Sequence, residues 1–217
     1  RQKILETTSE ELFNRAINLS EIDATAKEYK VIVFIENLLM KTSMRFNRFQ
    51  IIANLNELAE EHKDKYVEKF LQNNFGQEVN LKTSSSTPVC AVQYASIKAN
   101  NLNKIQEYCL KDVEFLIQAL SLTRDAGGRV FKILYMEKGT NKLHYTTISE
   151  SYRGNILGGI ISGEWSETIE EYYNGLKDKE LVSFFVSLYK DAHNEKTNDF
   201  KYLRLWQIAE TLAESKN

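Results

Sequence analysis

One stretch decides the fold class of this chain: Lys30-Val31-Ile32-Val33-Phe34-Ile35-Glu36-Asn37-Leu38. Four of these residues are β-branched, and the apolar side chains follow one another without the alternation of a strand that has one wet face. Such a run is typical of a strand buried on both faces of a sheet. It is interrupted by Glu36 and Asn37 and is too short to span a bilayer, so we expect a core strand.

Further strands are predicted where β-branched and aromatic residues are bounded by turn signals. They cover residues 46–53, 89–97, 130–136 and 143–148. The last two flank Lys138-Gly139-Thr140-Asn141, which predicts a hairpin.

Helices are predicted where apolar residues recur at a spacing of three and four. They cover residues 55–75, a long stretch that begins after Asn101 or Asn103 as its N-cap, and then 168–176, 181–193 and 199–213. A capping box at Thr8-Ser9-Glu10-Glu11 predicts one more helix near the start, with an apolar stripe of Leu12, Phe13, Ala16 and Leu19.

This order of elements predicts an α+β protein in two parts. Residues 1–150 form a mixed strand and helix domain, and residues 151–217 form a helical region. Amphipathic helices cannot bury their apolar stripes alone, and the last one is rich in large apolar side chains such as Trp206. These helices need the preceding domain, a second copy or more chain to cover their stripes, and we expect a helical bundle that is begun but not finished within this chain.

The composition is that of an ordinary globular protein, with 217 residues, 42% hydrophobic and 27% charged, and a formal net charge of −2. This charge gives no global attraction to nucleic acid or to an acidic membrane. Cys90 and Cys109 are too few for a disulfide scaffold, and Cys109 lies on an apolar helical stripe where a buried thiol is expected. Residues 1–11 do not have the pattern of a signal peptide. We expect a cytoplasmic protein that does not bind membranes.

The motifs that define metal, nucleotide and nucleophile sites are missing from the sequence. His62, His144 and His193 lie far apart, and there is no zinc, calcium, P-loop, dinucleotide or nucleophile-elbow pattern. His62 lies in a charged run and is expected on a solvated helix face. We therefore predict no catalytic residue, no metal site and no cofactor.

Glycines cluster in Tyr152-Arg153-Gly154-Asn155-Ile156-Leu157-Gly158-Gly159-Ile160-Ile161-Ser162-Gly163, which holds four of the nine in the chain. Arg153 can hold a phosphate or carboxylate through two hydrogen bonds, with glycine amides as further donors. The binding residues predicted here are Tyr152, Arg153, Gly154, Asn155, Gly158 and Gly159. The alternative is a structural turn in which Arg153 pairs with an acid such as Glu150 or Glu164.

A second hypothesis concerns cations that alternate with aromatic residues at Arg45, Phe46 and Arg48. Such a pattern can hold single-stranded nucleic acid by charge and stacking. The alternative places the aromatic rings inside and the arginines outside at a strand edge.

The segment Tyr152–Glu164 resembles part of the methylamine-utilisation MauJ-like proteins, and so do Ser183–Ala192 and Asp199–Ile208. Helices with a Leu-Trp pair such as Leu205-Trp206 are also similar to the entry to a HEPN bundle. The resemblance covers mainly the C-terminal third. It implies a HEPN-like helical bundle that is often dimeric, in a family where many members are metal-independent ribonucleases of toxin and antiviral systems.

The catalytic signature of that family is an arginine followed within a few residues by a histidine. Arg129 and Arg153 lack this histidine, and no histidine follows Arg204. The resemblance therefore implies a regulatory or recognition domain of a HEPN-related prokaryotic protein, of the defence or RNA-processing kind. Two alternatives stay open, namely a ribonuclease whose arginine–histidine pair lies outside this chain, and a structural scaffold subunit. We expect a homodimer or a partner protein at the C-terminal helices, with RNA as a further candidate partner.

Overall fold

A computed structural model describes residues 13, 15–20, 25–46, 48–62, 64–75, 89–124, 127–140, 142–148, 161–195 and 198–214. The strands within these ranges are β1 (Ile17–Asn18), β2 (Lys27–Glu36), β3 (Met44–Arg45), β4 (Gln50–Ile52), β5 (Val89–Ala99), β6 (Arg129–Glu137) and β7 (Leu143–Thr147). The helices are α1 (Leu55–Glu61), α2 (Lys65–Phe75), α3 (Leu102–Arg124), α4 (Ser166–Lys177), α5 (Glu180–Asn194) and α6 (Asn198–Glu214). A short 3₁₀ turn, Gly163–Trp165, precedes α4.

The strands form one sheet in the order β3-β4-β5-β2-β6-β7, in which all neighbours are antiparallel. The short strand β1 pairs in parallel with the far end of β5, where Ile17 lies opposite Ile97. Since β2 occupies the other side of β5, β1 and β4 share one edge of this long strand.

The strand β2 is the centre of the sheet, as its sequence predicts. Val31, Val33 and Ile35 face one core, and Ile32 and Phe34 face another. Side chains of a strand alternate between its two faces, so a run without polar residues is buried only when both faces are covered.

Helices cover both faces of the sheet. The helices α1 and α2 cover one face, with Leu55, Leu58, Val67, Phe70 and Leu71 buried. The helices α3, α4 and α5 cover the other face in one core that contains Ile105, Cys109, Val113, Leu116, Ile169, Tyr173 and Val186. Helix α6 packs against α5, and none of its residues is buried.

The α+β class and the succession of a mixed part and a helical part are confirmed. The hairpin at residues 138–141 is confirmed as well, with Gly139 at a φ of +78° that favours glycine. Asn101 rather than Asn103 caps α3, because its Oδ1 accepts from the Asn103 amide at 2.9 Å. The division at residue 150 stays a prediction, but elements on both sides of it share one core.

Three predictions of secondary structure are wrong. The predicted strand 46–53 contains only β4, because residues 46–49 form the turn between β3 and β4, closed by the bond from Phe46 N to Phe49 O. The predicted helix 55–75 is two helices, because the backbone leaves the helical conformation at His62, the C-cap of α1, where φ is −110° and ψ is 74°. The predicted helical stripe at Ala16 and Leu19 is extended, because Leu19 N donates to Lys98 O at 2.8 Å alongside β1. The capping box at residues 8–11 lies outside the described residues.

Candidate functional site

A buried carboxylate joins the sheet to two helices. Asp112 of α3 is 5% exposed. Its Oδ2 accepts from the Tyr94 hydroxyl of β5 at 2.8 Å, and its Oδ1 lies 2.6 Å from Lys177 Nζ of α4. The Tyr173 hydroxyl also donates to Oδ1, and Lys177 Nζ donates to Tyr173 Oη at 2.5 Å. Both carboxylate oxygens are therefore satisfied by donors.

The two tyrosines of this network stay protonated at neutral pH. Burial is the main cause that raises the pKa of the Tyr94 hydroxyl and that of Tyr173, and the Asp112 charge acts in the same direction. Each hydroxyl is thus held as a hydrogen-bond donor to the carboxylate. The network is a stabilising contact between β5, α3 and α4.

The turn between β3 and β4 covers this network. Phe46 N donates to Phe49 O at 2.8 Å, which closes the turn. The Phe49 ring lies 5.3 Å from the Tyr173 ring, edge to face, and 5.8 Å from the Tyr94 ring. Arg48 is therefore fixed at the tip of a turn whose aromatic residues are anchored in the core.

Arg48 lies between two clefts. One has a volume of about 540 Å³ and is lined by Arg15, Ala16, Ile17, Asn18, Leu19, Arg48 and Tyr108. The other has a volume of about 190 Å³ and is lined by Phe46, Arg48, Phe49, Glu170, Tyr173, Asn174 and Lys177. In the smaller cleft the Glu170 carboxylate accompanies the two cations, whereas no carboxylate is among the described residues that line the larger one.

The Tyr108 hydroxyl lies beside Arg48. Burial and the Asp112 charge raise the pKa of Tyr108 to about 12, and the Arg48 charge acts in the opposite direction. Among the described residues this buried hydroxyl has no hydrogen-bond partner of ordinary geometry. The hydroxyl is protonated and buried within the wall of the larger cleft, next to the Arg48 guanidinium.

A third cleft, of about 610 Å³, lies where α3, β6, α5 and α6 meet. Most of its charges are paired: Lys190 Nζ lies 2.6 Å from Glu114 and 3.3 Å from Asp191, Arg204 Nε lies 3.2 Å from Glu195, and Arg129 Nε lies 3.7 Å from Glu36. Lys111 also lines the cleft. An anion in this cleft would have to compete with these carboxylates, so it is a weaker binding candidate.

The pair α5 and α6 carries an apolar outer face, which we call the α5–α6 face. Its large apolar side chains are between 42% and 65% exposed; they are Leu181, Val182, Phe184, Phe200, Tyr202, Leu203, Trp206 and Leu212. These eight side chains lie on two helices that pack against each other, and large exposed apolar areas on a protein often mark an interaction site. The α5–α6 face is thus a candidate for association.

The predicted glycine-cluster residues lie outside the described part of the chain: Tyr152, Arg153, Gly154, Asn155, Gly158 and Gly159. The end of that segment is described. Ile161 forms a bridge with Met40, and Gly163 N donates to Thr42 Oγ1 at 2.6 Å. The segment therefore returns to the sheet just after β2.

The predicted nucleic-acid residues are separated by burial. Phe46 is buried with its ring 5.0 Å from that of Phe49. Arg45 and Arg48 are exposed, and the Arg45 guanidinium lies 5.0 Å from the centre of the Phe13 ring. The Phe46 ring is not available for stacking on a base, and contact of the arginines with nucleic acid stays a prediction.

His62 is not on a solvated face, contrary to the prediction. Its Nε2 lies 3.1 Å from Gln93 Oε1 on β5, and only 11% of its side chain is exposed. The charged run in the sequence does not reveal this contact, because it depends on where α1 ends.

Sequence reasoning missed Asp112 as well. One signal was present: Asp112 lies between Cys109 and Val113 on the apolar stripe of α3, where a charge requires partners. Its partners Tyr94 and Tyr173 lie 18 and 61 positions away along the chain. Because these partners are so far apart along the chain, no local pattern in the sequence indicates the hydrogen bonds to Asp112.

Within the described ranges, no group of three or more His, Cys, Asp and Glu side chains is arranged to hold a metal ion. None of the described helices combines the length and the apolar character needed to cross a membrane. The fold and the clefts define an α+β protein with candidate binding surfaces. No family model, no curated protein and no solved structure matches this chain.

Proposed function

We propose that this chain is a recognition or regulatory domain that associates with a second copy of itself through the α5–α6 face. In line with the resemblance of its C-terminal third, it would belong to a HEPN-related prokaryotic protein of the defence or RNA-processing kind, acting in the cytoplasm. The observation that carries the proposal is the exposure of the eight large apolar side chains of this face.

The extent of the face supports a second copy as the occupant. With roughly half of each side chain exposed, the face presents on the order of 800 Å² per chain, about what one partner of a standard interface buries. Burial of such an area is the main favourable term in association. Two identical faces related by a twofold axis satisfy each other without any further partner.

The arrangement of α6 supports the same pairing. Lys201, Arg204, Leu205 and Ile208 are half-buried and mark the side that faces α5, whereas Leu203 and Trp206 point outward. Leu203 and Trp206 are three positions apart, so their side chains are neighbours on one helical surface. Aromatic residues at the centre of an interface often carry a large share of its binding energy.

The hydrogen bonds of the buried Asp112 carboxylate favour a binding role for this chain over a catalytic one. This carboxylate accepts from two hydroxyls and an ammonium group. A buried carboxylate held by donors from three elements keeps those elements together, which fits a structural role better than exchange of a proton with a substrate.

Sedimentation velocity of the chain over a range of concentrations tests this proposal. We expect a dimer that Leu203→Glu and Trp206→Glu each convert to a monomer, because a charge on this face must be desolvated on association. Tyr66→Glu is the matched control: Tyr66 is 44% exposed on α2, on the other side of the sheet, and its substitution should leave the dimer intact.

A wild-type chain that sediments as a folded monomer at the highest concentration would overturn the proposal. So would a dimer that persists in both α6 variants. Circular dichroism of each variant verifies that the fold is retained, which keeps a loss of association apart from a loss of structure.

A further inference from the structure

The cleft of about 540 Å³ beside β1 has the features of an anion site. Arg15, just before β1, and Arg48, at the tip of the β3–β4 turn, both line it. Tyr108 of α3 forms another part of its wall. Two separate segments of the chain thus bring guanidinium donors to one concave surface, and a third segment supplies part of its wall.

Neither arginine of this cleft has a carboxylate in direct contact among the described residues, and the Asp112 charge acts on Arg48 only from inside the core. Neither Arg15 nor Arg48 forms an ion pair with a described carboxylate, whereas in the third cleft Lys190 and Arg204 are paired. A guanidinium group presents several N–H donors in one plane, a geometry that matches phosphate and carboxylate oxygens. Two such groups at one cleft favour an anion with several oxygens.

The Tyr108 hydroxyl lies behind Arg48, inside the wall of the cleft. Its oxygen is buried and lies within reach of the Arg48 guanidinium. Tyr108 therefore positions Arg48 and does not itself reach a ligand in the cleft.

The remaining wall of the cleft is apolar. Ala16, Ile17 and Leu19 line it beside the two arginines. The volume exceeds that needed for an inorganic anion and falls in the range of pockets that hold small organic molecules, roughly 300–1,000 Å³. The ligand therefore has an anionic group and an organic part.

The geometry points to a phosphate ester of mononucleotide size as the ligand of this cleft, its phosphate between Arg15 and Arg48 and its organic part on the apolar wall. This site is independent of the α5–α6 face, since it uses other elements of the fold. It is also separate from the glycine cluster around Arg153.

Isothermal titration calorimetry of the full chain tests this inference with three probes: adenosine monophosphate, inorganic phosphate and adenosine. We expect the nucleotide to bind more tightly than inorganic phosphate, and adenosine to bind at least about tenfold more weakly, because it lacks the charged group. Arg48→Gln and Arg15→Gln should each weaken nucleotide binding about tenfold or more.

Arg45→Gln is the matched control for Arg48→Gln. Both arginines are exposed and belong to one hairpin, so the two variants lose the same charge, but Arg45 lies over the Phe13 ring and does not line the cleft. We expect less than a twofold change in nucleotide affinity for this variant.

Tyr108→Phe separates the positioning of Arg48 from a structural role. The free variant should melt at the same or a higher temperature, because a buried hydroxyl without a partner is removed. Its affinity for the nucleotide should fall about two- to threefold, less than in Arg48→Gln, because the hydroxyl acts only through the position of Arg48. A fall in melting temperature with unchanged affinity would show that the hydroxyl is structural and would remove Tyr108 from the site.

Absence of nucleotide binding at millimolar concentration would overturn the inference. Equal binding of adenosine and the nucleotide, or equal losses in Arg45→Gln and Arg48→Gln, would also overturn it. Trp206→Glu should keep its affinity for the nucleotide, so a failure of the dimer proposal and a failure of this one are told apart.

Discussion

The Lys177 ammonium lies 2.6 Å from Oδ1 of Asp112, yet the two partners differ in their access to water. Only 5% of the Asp112 side chain is exposed, against 23% of that of Lys177. The free-energy cost of removing charge from water is therefore larger for the carboxylate than for the ammonium group. The tyrosine hydroxyls that donate to the carboxylate offset part of this cost. The pair fastens α4 to α3 over the middle of the sheet.

We expect Asp112→Asn to lower the free energy of unfolding by about 3 kcal/mol, because Lys177 loses its charge partner and two tyrosine hydroxyls lose a charged acceptor. Urea denaturation followed by circular dichroism measures the change. Asp178→Asn is the control: Asp178 is exposed at the end of α4, and its replacement should change stability by less than about 0.5 kcal/mol. A loss below 1 kcal/mol for Asp112→Asn would contradict a stabilising role.

His62 should make stability depend on pH. Burial is the first cause that lowers the pKa of this imidazole below its ordinary value of about 6.5, and the Lys30 ammonium acts in the same direction. Glu61 and Asp64 act the other way but do not reverse the shift. Because the folded pKa lies below the unfolded one, the unfolded state binds more protons as the pH falls through about 6.5. The stability that depends on the neutral form of His62 is therefore fully present above about pH 6.5 and is lost as the pH falls below that value.

Urea denaturation at several pH values between 5.5 and 7.5 checks this expectation. The wild type should lose stability toward pH 5.5, and His62→Gln should lose less, because an amide at this position does not titrate. His144→Gln, at an exposed position on β7, should follow the wild type. Parallel profiles for the wild type and His62→Gln would show that His62 does not contribute.

Local pattern predicts the parts of this fold that depend on a single run of residues. The run at 30–38 predicts a strand covered on both faces, and β2 has that environment because hydrophobic side chains fill both of its faces. The hairpin between β6 and β7 is equally local, since Gly139 supplies the positive φ that its turn requires.

The missed elements depend on distant partners. The strand β1 is two residues long, and it is extended because β5 offers backbone partners at Ile97 and Lys98. The break between α1 and α2 carries no glycine or proline, and His62 instead meets Gln93 of β5. Such tertiary contacts override helix propensity and cannot be found in a local window.

The larger cleft likewise combines one residue with a local signal in the sequence and one residue without such a signal. Arg48 is recognisable in the sequence as a cation beside aromatic residues, but its neighbour in the larger cleft, Arg15, is 33 positions earlier in a segment predicted as a helix. The extended path next to β1 brings the two arginines to one cleft. The two arginines can line the same cleft because the chain next to β1 is extended and not helical, which the sequence did not predict.

Asn37 is held in the left-handed region, with a φ of 62°, just after β2. It is 5% exposed, and its Oδ1 has no hydrogen-bond partner among the described residues. Asn37→Gly should therefore leave stability within about 0.5 kcal/mol of the wild type, and Asn37→Ala should be about 1–2 kcal/mol less stable than the glycine variant.

Thermal and urea unfolding of the two Asn37 variants give this difference. Gly175→Ala is the contrasting control: Gly175 lies inside α4 with no atom within 4 Å of an added Cβ, so alanine should stabilise by about 0.5–1 kcal/mol. Equal stability of the Ala and Gly variants at position 37 would contradict backbone strain there.

The two thiols should be unreactive in the folded protein. Cys90 and Cys109 are free and buried, and burial raises the pKa of Cys90 to about 12 and that of Cys109 well above its usual range, to which the Asp112 charge adds. Thiolate is the reactive form, so a disulfide reagent such as dithionitrobenzoate at pH 8 should label both residues only when the protein opens. Labelling should therefore be slow in the wild type, faster in Asp112→Asn by about tenfold for each 1.4 kcal/mol of lost stability, and immediate in denaturant. Rapid release of one equivalent of thionitrobenzoate from the native wild type would contradict the burial of these side chains.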